Sequence, residues 1–209
     1  MKTALLVSAL SALTAVACLA GCSRQSEPSA DAFGPALQSY LNQRGDLCLG
    51  KTTWPIDLTQ HEIDTGARNA LQMPALERLG LVRSTVAHVV VDDEGAQHPM
   101  DVRRYALTEA GTKFYMEREG KKPGSKAGDF CAAHLSLDKV VNWTAQGSSY
   151  LVSYTYQVKA APWTADAEIQ KVFPMVAGVI QGAGKRQLQE AFVQDAHGRW
   201  VAADLMPKS

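Results

Sequence analysis

The sequence has no excess of either charge, and it has only one long apolar run. Lys and Arg number 21 and Asp and Glu number 21, so the charge balance does not favour a polyanionic partner such as nucleic acid. No long stretch is hydrophilic enough to be disordered throughout, and no internal repeat is present. The 209 residues, 46% of them hydrophobic, suffice for one domain or two small ones, which excludes a large multi-site enzyme.

The sequence also lacks the motifs that carry common catalytic and cofactor chemistry. The five histidines are scattered, without a His-x-x-x-His pair or a His-Glu-x-x-His helix: His61, His88, His98, His134 and His197. No Gly-x-Ser-x-Gly elbow is present, and no glycine-rich phosphate loop precedes a helix. We therefore expect no cofactor and no metal, and a protein without catalytic activity is favoured over an enzyme whose catalytic residues no motif reveals.

Two short patterns, an acidic group and a Ser-x-x-Lys match, could indicate a cation site and a catalytic serine. An acidic group at a predicted hairpin tip could hold a hard cation loosely, but the twelve-residue calcium-loop order is missing, so a solvated loop is favoured; its members are Asp92, Asp93, Glu94, His98 and Asp101. Ser136 and Lys139 match the Ser-x-x-Lys spacing that activates serine on a helix. Their segment is predicted to be a strand, where residues three apart lie on opposite faces, which disfavours catalysis.

The first 21 residues are typical of a secretion signal. Lys2 supplies the positive start, and Ala4 to Ala20 form an apolar run of 17 residues. At about 1.5 Å per residue this run reaches roughly 25 Å, which is shorter than the ~30 Å hydrocarbon core of a bilayer. The order of charge, apolar run and small residues is that of a cleaved signal rather than of a membrane span.

The tetrapeptide Leu19-Ala20-Gly21-Cys22 resembles the lipobox of bacterial lipoproteins. That resemblance implies cleavage before Cys22, a diacylglycerol (palmitate-type) group on its sulfur and N-acylation of the new terminus. Several acyl chains together hold a protein on the bilayer stably. Ser23 follows Cys22 where an aspartate would favour the inner membrane, so the resemblance implies an outer-membrane lipoprotein facing the periplasm.

Two further cysteines of the mature chain form a candidate disulfide. Cys48 and Cys131 would lie in an oxidising compartment, where an even pair is expected to be joined. Two buried free thiols remain the alternative, and a zinc site is disfavoured because neither cysteine has a second ligand at zinc-like spacing.

The mature chain begins with a segment expected to act as a tether and continues into an α+β fold. Residues 22–35 are polar and without period, so we interpret them as a flexible tether that follows the lipidated cysteine. Helices and a β-hairpin are predicted over residues 36–120, with Asp64 or Thr65 capping a helix that bends or restarts at Pro74. The predicted hairpin has its tip near residues 92–95.

Part of this region resembles winged-helix proteins. Residues 75–82 (ALERLGLV), the hairpin, and residues 104–111 (RYALTEAG) are similar to the helix, wing and closing helix of that family, over residues 65–117. In the family the helix before the wing reads DNA. The acidic hairpin tip and the envelope location implied above argue against DNA here, so the resemblance bears on fold, and chance similarity is the alternative.

The second half is predicted to be richer in strands, over residues 126–209, either as a separate part or as one domain continuous with the first. Leu135, Leu137, Val141 and Trp143 share one face of a strand that pairs with residues 150–158 across a turn at Gln146-Gly147. A helical segment over residues 165–180 is kinked or restarted at Pro174. A last hairpin turns at residues 195–198.

Aromatic residues beside predicted turns are the remaining candidates for a binding site. Trp54, Trp163 and Trp200 could be partly exposed and contact a ligand, although most aromatic residues are expected in the core. We therefore expect a non-catalytic, lipid-anchored envelope protein that binds a protein partner or small ligand. The alternative is a small periplasmic hydrolase with an unrecognised Ser/His site.

Overall fold

A computed structural model describes residues 26–93, 96–119 and 126–207 of the chain. The predicted signal peptide, the lipobox with Cys22 and the first residues of the predicted tether lie outside the described residues. The hairpin-tip residues Glu94 and Gly95 and the segment 120–125 also lie outside them.

The described residues form an α+β fold of short helices and antiparallel strands. In chain order the elements of the first half are α1 (Ala30–Arg44), β1 (Asp46–Cys48), β2 (Ile56–Thr59), α2 (Gln60–Asp64), α3 (Arg68–Arg78), β3 (Val82–Asp93), β4 (Ala96–Leu107), α4 (Glu109–Thr112) and β5 (Tyr115–Glu119). Those of the second half are β6 (Lys126–Gln146), β7 (Ser149–Ala160), a 3₁₀ turn (Pro162–Ala165), α5 (Ala167–Val172), α6 (Pro174–Gln181), β8 (Gln187–Gln194), β9 (Trp200–Ala202) and a 3₁₀ turn (Ala203–Leu205).

Two antiparallel sheets organise the described strands. Six strands form the larger sheet, in the order β1-β6-β7-β8-β9, with β5 paired to the first part of β6. Three strands form the smaller sheet, in the order β2-β4-β3. Because β1 and β5 come from the first half of the chain and pair with β6 of the second, the two predicted parts share one sheet.

A separate hydrophobic core lies on each sheet. Helix α1 buries Phe33, Leu37 and Leu41 against the face of the larger sheet that carries Val152 and Phe192. The other core joins α3, α5 and α6 to the smaller sheet and to the start of β6; its largest buried members include Leu58, Met73, Leu76, Tyr105, Phe130, Trp163 and Ile169. Every buried hydrophobic residue of the described chain lies at position 33 or later, so a form that begins at residue 23 keeps both cores.

The predicted disulfide between Cys48 and Cys131 is present, with an S–S distance of 2.00 Å. These residues are register partners at the end of β1 and in β6. The bond therefore fixes the chain at the point where it leaves the larger sheet and enters the loop before β2.

The prediction of a tether over residues 22–35 is wrong for its described part. The Ser29 hydroxyl accepts a hydrogen bond from the Ala32 N–H at 3.1 Å and caps α1, which begins at Ala30. Phe33 is fully buried, and the carbonyl of Ser26 accepts a hydrogen bond from Gln194 Nε2 at 2.8 Å. A cap and one aromatic anchor thus order a segment whose Ser/Pro composition indicated a linker.

The helical region before the hairpin also differs from its prediction. Thr59 caps α2 in a reciprocal capping box with Glu62, and Asp64 and Thr65 end that helix instead of starting the next one. Helix α3 then runs from Arg68 without restarting at Pro74. Its interior proline is tolerated because Met73, Ala75 and Leu76 hold the helix in the core.

Helix α3 and the β3–β4 hairpin lie within residues 65–117, and kinship with winged-helix proteins stays a prediction. The short helix after the hairpin ends at Thr112, and β5 begins at Tyr115. Gly111 is required there by close approach, because a Cβ would lie 1.9 Å from the carbonyl oxygen of Leu81.

Strands β6 and β7 pair as predicted, across a turn at Gly147, but one residue was assigned to the wrong face. Two irregularities in the register, after Leu137 and after Val140, interrupt the alternation of side chains. Val140 therefore packs against the core, whereas Val141 is 37% exposed. The helical segment restarts at Pro174, which is the first residue of α6.

Candidate binding site

The loop after the disulfide is anchored to β6 by its backbone. The Leu49 N–H donates to the Phe130 carbonyl at 2.8 Å. The N–H groups of Gly50 and Lys51 donate to the Asp129 carboxylate at 3.1 and 2.7 Å. These bonds fix the backbone of Lys51 and with it the origin of its side chain.

Lys51 is the residue around which the candidate site is built. It is only 6% exposed, and its Nζ donates a hydrogen bond to Asn69 Oδ1 in the first turn of α3. Burial lowers the pKa of the Lys51 ammonium, the Arg68 guanidinium lowers it further, and the Asp129 carboxylate acts in the opposite direction. Within the described residues the ammonium forms no ion pair with a carboxylate.

Helix α3 presents a bare N-terminus to Lys51. Its N-cap residue, Ala67, has no side chain that could accept from the first-turn N–H groups, and the first turn contains no acidic residue. The positive end of the helix dipole is therefore not compensated within the helix. Arg68, the first helical residue, is exposed and adds a second positive charge at the same place.

A cavity of about 650 Å³ lies between this loop and the start of α3, and we call it the Lys51 cavity. Its lining residues are Leu49, Gly50, Lys51, Thr52, Thr53, Pro55, Ile56, Glu62, Ala67, Arg68 and Asn69. The one carboxylate among them, Glu62, already accepts hydrogen bonds from the N–H and hydroxyl of Thr59, both at 2.9 Å. Among the described residues, Glu62 forms no ion pair with Lys51 or Arg68, the two cations of the cavity.

A second cavity of about 660 Å³ adjoins the first, and we call it the Met175 cavity. The two share Leu49 and Arg68. Its lining residues are Cys48, Leu49, Arg68, Leu71, Gln72, Glu168, Lys171, Val172, Phe173, Pro174, Met175 and Val176. Met175 is 83% exposed and Leu71 is 58% exposed, so apolar side chains line an accessible surface.

Polar residues of the Met175 cavity are mostly engaged in holding the helices together. Glu168 accepts from Arg78 Nε at 3.0 Å. Gln72 Nε2 donates to the Val172 carbonyl at 3.0 Å, while its buried Oε1 has no partner among the described residues. Lys171 is exposed and forms no ion pair with a described carboxylate.

The three tryptophans proposed from the sequence do not form one site. Trp163 is 7% exposed and packs against Phe130, with ring centroids 5.6 Å apart, so the expectation that it is partly exposed is wrong. Trp200 packs against Phe33 in the core on the larger sheet, at 4.9 Å. Trp54 is half-buried, and its indole N–H donates to the Lys51 carbonyl at 3.2 Å. It therefore supports the loop of the Lys51 cavity.

The other sequence candidates are occupied by pairing within the sheets. Ser136 and Lys139 lie in β6 and not on a helix, and the intervening Asp138 accepts hydrogen bonds from Thr155 and Gln157 at 2.7 and 2.8 Å. His134 Nδ1 lies 2.6 Å from a carboxylate oxygen of Asp46, its register partner in β1.

No group of three or more potential metal ligands occurs among the described residues. At the hairpin, His88 pairs with Asp101. His98 is exposed beside the tip, and the side chains of Asp92 and Asp93, like Glu94, lie outside the described part.

Sequence reasoning did not identify Lys51, Arg68 or Asn69. A lysine in a polar stretch is normally solvated, and its burial here depends on Asp129, which is 78 residues away, and on Asn69, 18 residues away. The sequence feature that could have indicated the site is the start of α3 at Arg68 without a capping residue. It was missed because the cap of this helix was predicted at Asp64 or Thr65.

Comparison of the chain with known protein families, curated proteins and solved structures finds no match. Among the described residues, none of the helices combines the length and apolar character needed to cross a membrane.

Proposed function

We propose that the protein is a non-catalytic, lipid-anchored protein of the bacterial cell envelope that binds a small ligand or protein partner in the periplasm. The observation that supports binding is the pair of adjoining cavities around Arg68, where a buried ammonium and an exposed guanidinium meet an accessible apolar surface. Concave sites of this size, with apolar walls and a few converging polar groups, are typical of ligand-binding sites.

The anchor rests on the lipobox resemblance at Leu19-Ala20-Gly21-Cys22. Lipidation of Cys22 would hold the domain close to the membrane, since α1 begins only eight positions later, at Ala30. Ser23 favours the outer membrane. Cys22→Ala should abolish labelling by a clickable fatty acid in cells and leave an unprocessed or mislocalised product. Unchanged labelling would contradict the lipoprotein proposal.

The alternative of a hydrolase requires a nucleophile beside a base. His134 and Asp46 are the nearest approach to such an arrangement. No serine hydroxyl among the described residues is hydrogen-bonded to that imidazole, so no specific observation favours this alternative.

Photocrosslinking in intact cells tests binding at this site. A photoreactive amino acid at Met175, on the rim of the Met175 cavity, should give an adduct with the ligand or partner. Val141 is exposed on β6, away from both cavities, and the same amino acid there is the matched control. Adducts at neither position, or equally at both, would contradict the proposal.

A further inference from the structure

We propose that the two cavities together bind a single-chain anionic amphiphile: its carboxylate or phosphate head lies in the Lys51 cavity and its apolar chain in the Met175 cavity. This inference rests on the proposed binding function and adds the chemical class of the ligand.

The head-group assignment follows from uncompensated positive charge. A buried ammonium is costly unless it is paired with an anion, because burial removes its hydration. Lys51 has one neutral hydrogen-bond partner, Asn69, and a second cation, Arg68, acts on it from the same cavity. An anionic oxygen placed between them would pair with both charges.

The two carboxylates beside the Lys51 loop, Asp129 and Glu62, accept hydrogen bonds from neutral groups. Asp129 accepts from the backbone N–H groups of Gly50, Lys51 and Phe130. Glu62 serves the capping box at Thr59. Neither forms an ion pair with Lys51 or Arg68, so an incoming anion would not displace an existing bridge.

The start of α3 adds a second attraction for the same head group. Its N-cap, Ala67, supplies no side-chain acceptor for the first-turn N–H groups, and Ala67, Arg68 and Asn69 line the Lys51 cavity. A helix N-terminus is a favourable place for an anion, and here it coincides with two side-chain cations.

The apolar chain is assigned from the wall of the second cavity. Leu71 on α3 and Met175 on α6 expose most of their side chains there, beside Phe173 and Val176. Binding of an apolar chain there would remove these side chains from water, which is favourable. Because the two cavities share Leu49 and Arg68, the apolar surface adjoins the cationic end, which is the polarity of an amphiphile.

Charge on the second cavity fits this assignment. Glu168 shares the single cation of Arg78 with Asp166, and Arg68 and Lys171 are the two cations of the wall. The cations that line the two cavities, Lys51, Arg68 and Lys171, outnumber the lining carboxylates, Glu62 and Glu168, which favours an anionic over a cationic amphiphile.

Calorimetric titration of a lipid-free form covering residues 23–209 tests the head group. We expect decanoate or decyl phosphate to bind, the tighter of the two identifying the head, whereas decanol and decyltrimethylammonium should not. Lys51→Met shortens the side chain by one atom and removes its charge. It should weaken binding by about tenfold or more, as expected for the loss of a hydrogen bond to a charged group. Lys159→Met, at an exposed position on β7, is the control and should bind as the unaltered protein does.

Chain length tests the apolar part independently. Burying one methylene is worth about fourfold in affinity, so decanoate should bind more tightly than octanoate by roughly that factor for each added group. Met175→Ser should reduce this dependence on chain length. The variant changes an exposed side chain, so loss of folding is not a competing explanation.

Absence of binding, equal binding of decanol, or unaltered affinity in folded Lys51→Met overturns the inference; retained circular dichroism establishes folding of the variant. A different result would contradict the proposed binding function itself. In that case photocrosslinking at Met175 yields no specific adduct of any kind, whereas a neutral or peptide adduct there would contradict the amphiphile and leave binding intact.

Discussion

Removal of the disulfide should lower stability by an amount that the chain separation sets. Cys48 and Cys131 are 83 residues apart. In the chain-entropy model, closing a loop of that length lowers the entropy of the unfolded chain and so stabilises the folded state by about 4–5 kcal/mol at 25 °C. The free energy of unfolding of the double variant Cys48→Ala, Cys131→Ala should be lower by about that amount.

The native structure of the variant should change little. The Leu49 N–H bond to Phe130 and the bonds from Gly50 and Lys51 to Asp129 remain, and they hold the loop to β6 without the covalent link. The effect is therefore expected mainly on the unfolded state.

Urea unfolding of the lipid-free form, followed by tryptophan fluorescence, measures the loss. With a urea dependence of about 2 kcal/mol per molar, the midpoint should fall by roughly 2 M. Reductant should shift the unaltered protein similarly and leave the double variant unchanged. An unaltered midpoint in the variant, or two alkylatable thiols in protein isolated without reductant, would contradict the predicted contribution of the disulfide.

Two further predictions concern the core on the larger sheet. Phe33 is fully buried against four aromatic rings, so Phe33→Ala should lower the free energy of unfolding by about 3–5 kcal/mol. Val141→Ala, at an exposed position, should lower it little in the same urea assay. Equal losses would mean that the segment before residue 36 is not packed. Burial raises the pKa of Tyr154 from 10.0 to about 12, so the native state keeps a proton that the unfolded chain loses. Stability should be full below pH 10 and fall as pH rises towards 12, with a smaller fall in Tyr154→Phe; an identical fall in that variant would contradict the assignment.

Cysteine count, turn residues and proline positions predicted several features of the fold. The Cys48–Cys131 pair followed from the number of cysteines and the expected compartment, and the structure confirms it. The β6–β7 turn followed from Gly147, whose φ of +61° suits glycine. Pro174 was correctly expected to kink or restart a helix, because proline is favoured in a first turn.

Features that depend on distant contacts were not predictable in the same way. Alternation misplaced Val141 because irregularities in the β6 register shift the faces, and no sequence signal marks them. Composition misassigned residues 26–35 because a single buried aromatic residue, Phe33, and the cap at Ser29 outweigh a polar average. The burial of Lys51 depends on partners from β6 and α3, so only the folded chain brings the candidate site together.

The sharing of one sheet by both halves of the chain has a similar origin. Strands β1 and β5 are short. Strand β1 pairs with a part of β6 that lies far away in sequence, and β5 pairs with the start of β6, which follows residues 120–125. A boundary near residue 120 was suggested by composition alone. The pairing of Tyr115 with Phe130 places β5 in the larger sheet instead.

Native mass spectrometry of protein extracted from cells with mild detergent measures whether a ligand is held at Lys51. The unaltered protein and the Lys159→Met control should retain one small anionic molecule, and Lys51→Met should not. The same adduct at equal occupancy in all three proteins, or its absence from all three, would contradict a ligand held at Lys51.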